Sequence, residues 1–311
     1  MKILVTGGAG FIGSHVVDAL VKQGDEVVII DNFSTGFEKN LNPAAKLYRL
    51  SICDTDIDKI FELEKPRVVI HLAAQTSVTR SITDPTFDAG VNILGSLNII
   101  SNCVKTGVHR IVYASSSALY GTPEYLPVDE KHPVKSLSPY GISKHTVEHY
   151  LFQNQTLHGL SFIVLRYANV YGPRQNPRGE GGVIAIFAGK MLSREQPTIY
   201  GLGDKSRDYV YVDDVVRANI IAVESNETGI FNIGTGEETT DQKVFELISQ
   251  GCNYNGVPFY AAERPGEIKR IYLDNARAVK ILKWNPQTHV KDGIPKAIAY
   301  YKNDLIKLAL S

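Results

Sequence analysis

The chain has 311 residues, 43% hydrophobic and 21% charged, with 33 basic side chains balancing 33 acidic ones. That length and apolar content suffice for a sizeable core, and the zero net charge provides no bulk field to attract nucleic acid or an anionic membrane. No apolar run reaches the length needed to span a bilayer.

The first predicted strand, KILVTG (2–7), runs directly into GGAGFIG. The chain turns glycine-rich too soon for the apolar core of a signal peptide. Gly7, Gly10 and Gly13 fall at G-x-x-G-x-x-G spacing, and a helical segment, FIGSHVVDALVKQG, follows. Such spacing answers three needs at once: a tight turn, close backbone approach to a pyrophosphate, and a helix N-terminus aimed at it. A glycine turn also serves simple helix–strand packing, so the context decides. The second strand, EVVIID (26–31), ends on Asp31. An acid there accepts hydrogen bonds from an adenosine ribose and repels a 2′-phosphate, which favours NAD over NADP. Three further runs, RVVIHLAA (67–74), RIVYASS (110–116) and FIVLRYANV (162–170), are largely unbroken and β-branched. Continuous apolar strands separated by helix-length segments imply a parallel sheet covered on both faces. The expected fold is α/β, a doubly wound parallel (Rossmann) sheet with a smaller C-terminal substrate-binding α/β domain. Regular alternation persists to about residue 172, where PRQNPRGEGG breaks it. The expected domains are 1–172 for the dinucleotide and 173–311 mainly for substrate, with part of 204–222 returning to the first. Cys53, Cys103 and Cys252 are few, odd in number and without metal-ligand spacing. The eight histidines are read as ordinary surface or core residues with no paired ligand spacing. The expectation is a reduced, soluble, cytoplasmic protein with no metal site and no nucleic-acid or membrane partner.

Two segments carry the chemistry. SSSALYG (115–121) follows the 110–116 strand, placing hydroxyls at the C-terminal edge of the sheet, where open α/β sheets bind ligands. SPYGISK (138–144) starts a helix, with Ser138 as N-cap and Pro139 at the first helical position. Tyr140 and Lys144 then share one face, which continues through Val147 and Leu151 and is therefore the inward face. A tyrosine of pKa ~10 needs roughly 4 kcal/mol of preference for its phenolate to work as a base near pH 7. One ammonium at ~4 Å supplies about that much at an effective dielectric near 20. Burial opposes this, and the oxidised nicotinamide ring is a second positive charge that would help. Lys144 is thus expected to lower the tyrosine pKa and to hold the cofactor ribose. Ser116 is placed to hydrogen-bond a substrate hydroxyl and the developing carbonyl beside Tyr140. Separately, a snorkelling lysine and a serine turn are commonplace. Together with the glycine loop they favour catalysis.

TGGAGFIG, the Asp31 strand end, LAAQ (72–75), SSSALYG, YGISK and RYANVYGPRQ (166–175) together resemble the extended short-chain dehydrogenase/reductases. More narrowly, the set resembles the UDP-glucose 4-epimerases, from the first strand to about residue 275. The resemblance implies NAD held at Gly7, Gly10, Phe11, Ile12 and Gly13, and by the run Asp31, Asn32, Phe33, Ser34, Thr35 and Gly36. It also implies cofactor contacts from Ser51, Ile52, Leu72, Ala73, Ala74, Gln75, Asn92, Ser115, Tyr140, Lys144 and Tyr167. Ser51 stands where the family usually has an acid facing adenine, and GLGDKSRD (201–208) is an unusual lead into its Arg-Asp pair. For a UDP-sugar, the resemblance places Ser116, Ser117 and Tyr140 at the sugar and Asn169 and Arg207 at the phosphates. Thr198 and Tyr200 are placed near uracil, and Arg264 and Glu267 near phosphate and ribose. For Arg207 the competing reading is an ion pair with Asp208.

Dehydratases of the family carry Thr-Asp-Glu before Val-Tyr-Gly, and its decarboxylases keep the glutamate. This chain has Ser116, Ser117 and Ala118 there, and neither Ser117 nor Ala118 titrates usefully. That points to a redox-neutral epimerisation at C4. The alternatives are another nucleotide-sugar epimerase (acting on UDP-N-acetylglucosamine or a UDP-pentose) and an NAD(P)H-dependent 4-keto-sugar reductase. A non-enzymatic NAD sensor would have no use for Ser116, Tyr140 and Lys144 together. In the family, the seventh residue past the R-P-G arginine lines the space beside the sugar 2-substituent. Counting from Arg264 gives Ile271, an open wall, whereas a slip of one gives Tyr272 and a closed one. A homodimer is expected, because helices at 86–107 and 142–158 carry apolar residues on more than one face, including Ile99, Cys103, Tyr150 and Phe152.

Overall fold

The computed structural model describes residues 1–178, 182–264 and 267–310. The first part of the chain forms β1 (Lys2–Thr6), α1 (Phe11–Lys22), β2 (Glu26–Ile30), β3 (Lys46–Tyr48), α2 (Ile57–Glu64) and β4 (Val68–His71). After these come α3 (Val78–Thr83), α4 (Pro85–Ala89), α5 (Ser96–Thr106), β5 (Arg110–Ser116), α6 (Pro139–His158) and β6 (Ser161–Tyr167). The later part contributes β7 (Asn169–Tyr171), α7 (Val183–Leu192), β8 (Thr198–Tyr200), β9 (Ser206–Arg207), β10 (Tyr209–Tyr211) and α8 (Val212–Glu224). It ends with β11 (Gly229–Ile233), β12 (Thr239–Thr240), α9 (Asp241–Cys252), β13 (Phe259–Ala261), β14 (Arg270–Ile271) and α10 (Val290–Leu310).

Seven parallel strands make the main sheet, in the order β11-β6-β5-β4-β1-β2-β3. The winding reverses beside β1, which opens a crevice at the C-terminal strand ends. Strand alternation divides the core. Ile3 and Val5 of β1 face a layer holding Val17 and Leu20 of α1 and Val215 of α8, while Leu4 faces Phe61 of α2, Ile99 of α5 and Val147 of α6. Both faces are covered, so the strands read as unbroken apolar runs. A third cluster joins Phe187 of α7, Phe245 of α9 and Ile294 of α10 into a separate small core.

Several boundaries differ from the sequence reading. The strand expected over 67–74 ends at His71, and Leu72–Gln75 leave the sheet to cross the crevice. FIVLRYANV splits into β6 and β7, and β7 pairs with β10 instead of staying in the main sheet. Two edge strands, β3 and β11, lay below the sequence signal. KLY and GIFNI are too short or too glycine-interrupted to stand out. With α8 packed over α1, β11 brings the chain back to the sheet after residue 204. The helix expected over 86–107 begins at Pro85, with the Asp84 side chain accepting from Phe87 N at 3.0 Å. It widens into a π-type turn over Gly90–Gly95 before α5. The Gly95 backbone comes so close to Ile52 that a Cβ would lie 2.8 Å from its side chain.

Ile99 and Cys103, expected to contribute outward apolar surface, are fully buried within the chain's own core. Tyr150 and Phe152, named with them, do face outward, and Leu94, Ile142 and Leu157 join them.

Candidate active site

A cleft of about 1410 Å³ opens at the C-terminal ends of the main strands. Its floor is the glycine turn. Gly7 has φ +75°, and a Cβ on it would lie 2.8 Å from Ala73 N; one on Gly13 would lie 2.0 Å from Gly7 O. Only glycine permits that fold-over. Helix α1 starts at Gly10 with no side-chain cap, so its first-turn N–H groups near Phe11 and Ile12 are unclaimed by a capping side chain. Asp31 is 7% exposed; its carboxylate accepts from Ala9 N at 2.9 Å and Phe33 N at 2.7 Å. Two acceptor sites remain on the side lining the cleft. This cradle, bare helix N-terminus and terminal carboxylate fit a dinucleotide.

Most of the residues expected to hold the cofactor line this cleft: Gly7, Gly10, Phe11, Ile12, Gly13, Asp31, Asn32, Ser34, Thr35, Ser51, Ile52, Leu72 to Gln75, Ser115 and Tyr167. Phe33, Gly36 and Asn92 stand behind the wall. Phe33 lies under the Arg49 guanidinium at 4.4 Å. A Cβ on Gly36 would come within 3.0 Å of Ala9. Asn92 is 1% exposed and clasps the Gln75 backbone, accepting from its N–H at 2.8 Å and donating to its carbonyl at 3.0 Å. At the Ser51 position no acid faces the cleft. Asp54, the nearby carboxylate, accepts from Ser51 N at 2.7 Å and closes a turn.

Ser116 ends β5, and Ser138 Oγ accepts from Gly141 N at 3.2 Å to set α6. That cap brings Tyr140 and Lys144 to the cleft beside Ser116 and Ser117. Lys144 Nζ donates to Ala114 O at 2.8 Å and lies 5.0 Å from the Tyr113 ring centre and 5.9 Å from that of Tyr140. Burial pushes the Tyr140 phenol up to about 12; the Ser116 hydroxyl acts to lower it, and the Asp88 charge to raise it. Burial pulls Lys144 down to about 8, opposed by Asp88 and then Glu148. Burial thus opposes the phenolate, as the sequence reading allows in calling on the oxidised nicotinamide ring as a second positive charge beside Lys144. Desolvation is the largest influence on both groups, raising the phenol and lowering the ammonium.

Arg207 lines the cleft and donates to Ser206 O at 2.8 Å. Its neighbour Asp208 points to the other side of the strand, as alternation requires, and accepts from Thr235 N, Gly236 N and Leu273 N at 2.8, 3.1 and 3.2 Å. The ion-pair reading of Arg207 is thereby replaced. Asn169 and Ile271 also line the cleft, and Ile271 pairs in register with Arg207. Tyr272 lies off the wall; its carbonyl accepts from Val128 N at 2.9 Å. Thr198, Tyr200, Arg264 and Glu267 are not brought to the cleft wall. Arg264 stacks over Tyr200 at 3.7 Å, and Glu267 contacts the buried Lys205.

Sequence reasoning missed Arg174, Gln175 and Arg178, all on the cleft. Arg174 adopts φ +67° and donates to Asp18 Oδ2 at 2.7 Å. The signal was present in VYGPRQ, where a glycine–proline turn delivers the next side chain. Glu148 was also missed. It accepts from Ser115 Oγ at 2.6 Å and meets Arg166 at 2.6 Å, a buried pair that fixes the Ser115 hydroxyl. His145 and His149, a spacing the sequence reading passed over, stand one turn apart with ring centres 4.5 Å from each other.

The NAD dependent epimerase/dehydratase family model matches residues 3–234. A putative UDP-glucose 4-epimerase of Methanocaldococcus jannaschii is 46% identical over 304 residues, covering 97% of this chain and 99% of its own. Among solved structures, a UDP-glucose 4-epimerase with UDP-glucose from Thermotoga maritima superposes with TM-score 0.97 at 44% identity, covering 98% of this chain and all of the other. A Thermus thermophilus UDP-glucose 4-epimerase complexed with NAD gives TM-score 0.92 at 39% identity, covering 97% and 99%.

Proposed function

We propose, from the premise that this chain belongs to the NAD dependent epimerase/dehydratase family, that it interconverts the C4 epimers of a UDP-hexose, with NAD as cofactor. The enzyme is an isomerase and its substrate is a UDP-sugar. The observation that carries this reading is the grouping of Ser116, Tyr140 and Lys144 beside the glycine cradle, with Ser117 and Ala118 supplying no further acid or base. When bound, NAD supplies a reversible hydride acceptor and, oxidised, a positively charged ring. Gly7, Gly10, Gly13 and the α1 N-terminus take its pyrophosphate. Asp31 takes the adenosine ribose and disfavours a 2′-phosphate.

Tyr140 removes the proton of the sugar 4-hydroxyl, and Ser116 holds that oxygen. Loss of the C4 hydride, for which bound NAD would be the acceptor, leaves a 4-keto sugar; once it has turned over and the hydride has returned to the other face of C4, Tyr140 gives the proton back to the oxygen. Burial holds the Tyr140 phenol above its ordinary value, so a charged Lys144, and the positive ring that bound NAD would supply, would favour its ionisation. Asn169 and Arg207 bind the diphosphate, the arginine through its planar fork. Ile271 on the wall supports a pocket with room for more than a 2-hydroxyl, and so for UDP-N-acetylglucosamine besides UDP-glucose and UDP-galactose. Two copies pair through the outward apolar residues of α6 and the 90–95 turn. Among the described residues no helix is long and apolar enough to cross a membrane, and we place the enzyme in the cytoplasm.

The test incubates purified protein with UDP-glucose or UDP-galactose and no added cofactor, and identifies the nucleotide released on denaturation. Interconversion without net NADH, together with released NAD, is expected. A 4-keto-6-deoxy product, or a strict requirement for added NADPH, overturns the reading.

A further inference from the structure

Asp88 lies on α4 behind the cleft and is 1% exposed. Its Oδ1 accepts from Gln75 Nε2 at 2.7 Å and from Asn92 Nδ2 at 3.0 Å. Asn92 clasps the Gln75 backbone and also donates to Ser143 Oγ on α6 at 3.2 Å. Ser143 immediately precedes Lys144. One carboxylate oxygen thus ties the strand-crossing segment of the cleft to the helix that carries Tyr140 and Lys144.

The second oxygen, Oδ2, is enclosed and accepts no hydrogen bond among the described residues. An enclosed carboxylate oxygen without a donor is costly. An asparagine would make the same two bonds at Oδ1 without burying a charge, so the tie alone does not account for an aspartate. The charge acts elsewhere. The titratable groups within its field are Tyr113 of β5 and Tyr140 and Lys144 of α6. The remaining charged groups around them are engaged. Glu148 is spent on Arg166 and Ser115, and Arg80 of α3 is exposed and stacked over Phe87 at 3.7 Å. His71 of β4 is held between Thr6 and Ser96. Lys144 has desolvation pulling it toward its neutral form, and the first charge opposing that pull is Asp88.

We propose that Asp88 is a positioning residue for the reaction: its carboxylate keeps the buried Lys144 protonated while fixing Gln75, and so sets the pH range in which Tyr140 and Lys144 work. The proposal rests on the epimerase reading for its meaning in turnover, but its electrostatic content is independent of that reading.

The sign follows from the charge. Removing a negative charge lowers the pKa of both Lys144 and Tyr140. Asp88→Asn keeps the Oδ1 acceptor, so both limbs of the kcat–pH profile should move acid-ward by about half a unit or more. A second measurement needs no turnover. Cyanate carbamylates neutral amines, and peptide mass spectrometry reads Lys144 modification against pH in the purified holoprotein. Its midpoint should move acid-ward in Asp88→Asn and return in Asp88→Glu; if the amide variant does not fold, Asp88→Ser is read in the same way. An unmoved labelling midpoint overturns the proposal whatever the activity. A wild-type protein inactive on every UDP-sugar rejects the epimerase reading instead, and the labelling midpoint still decides the role of Asp88.

Discussion

Tyr140 shows how little a residue's identity says about its chemistry until its surroundings are known. Its ring keeps some exposure to the cleft, yet its phenol is desolvated and pushed up to about 12. In the role we propose for it as base, Tyr140→Phe should lower kcat by about 10² or more while NAD stays bound. Near-normal turnover in a steady-state assay would make it a packing residue. His71 gives a different prediction. Its Nδ1 meets Thr6 Oγ1 at 2.7 Å and its Nε2 meets Ser96 Oγ at 2.9 Å, while Ser96 donates its own proton to Asn92 O at 2.6 Å. The neutral ring satisfies this network. Burial, followed by the Lys144 charge, pulls its pKa down to about 3 from an ordinary 6.5. The unfolded chain therefore binds more protons between those values, and stability falls as pH drops from about 6.5 toward 3, by up to about 1.4 kcal/mol per unit. Urea unfolding at pH 6.5 and 4.5 should show a smaller loss in His71→Asn than in the parent.

At the scale of elements, the glycine turn and the start of α6 place the whole site. Both were legible because their signals are local. Glycine spacing between a strand and a helix, and Ser-Pro ahead of Tyr140, need no distant partner to be read. The close approach behind that spacing is concrete, since a Cβ on Gly13 would stand 2.0 Å from Gly7 O. Gly13→Ala should therefore open the turn, and the purified variant should release little or no NAD on denaturation. Retention equal to the parent's would show that the turn is not the pyrophosphate cradle. The edge strands β3 and β11 were not legible. Three residues, or five beginning with glycine, become strand only because β2 and β6 offer unpaired edges.

At the scale of the molecule, the second part of the chain closes the site from across the cleft. Ile271 reaches the wall because β14 pairs with β9 in the register that sets it against Arg207. In our proposal this wall lies beside the sugar 2-substituent; a bulky ring would overfill it, and overpacking costs roughly 1–3 kcal/mol or more. Ile271→Tyr should abolish turnover of UDP-N-acetylglucosamine and spare UDP-glucose; a parent protein with no activity on the N-acetylated sugar refutes the open wall. The outward row of Leu94, Ile142, Tyr150, Phe152 and Leu157 leads to an expected dimer mass in light scattering at micromolar concentration. A monomer mass refutes the pairing.

The sequence alone determined the parallel sheet, the dinucleotide turn with its acid, and the Ser116, Tyr140 and Lys144 set, because each depends on spacing within one strand, turn or helix. Only the tertiary structure decided which neighbours those groups meet. It turned Asp208 away from Arg207, drew Asn92 behind the wall, buried Ile99 and Cys103, and tied Asp88 to Gln75 and Asn92. Those outcomes depend on strand register and on contacts between segments far apart in the chain, and on how far desolvation outweighs a charge once the layers close. No local pattern encodes that balance.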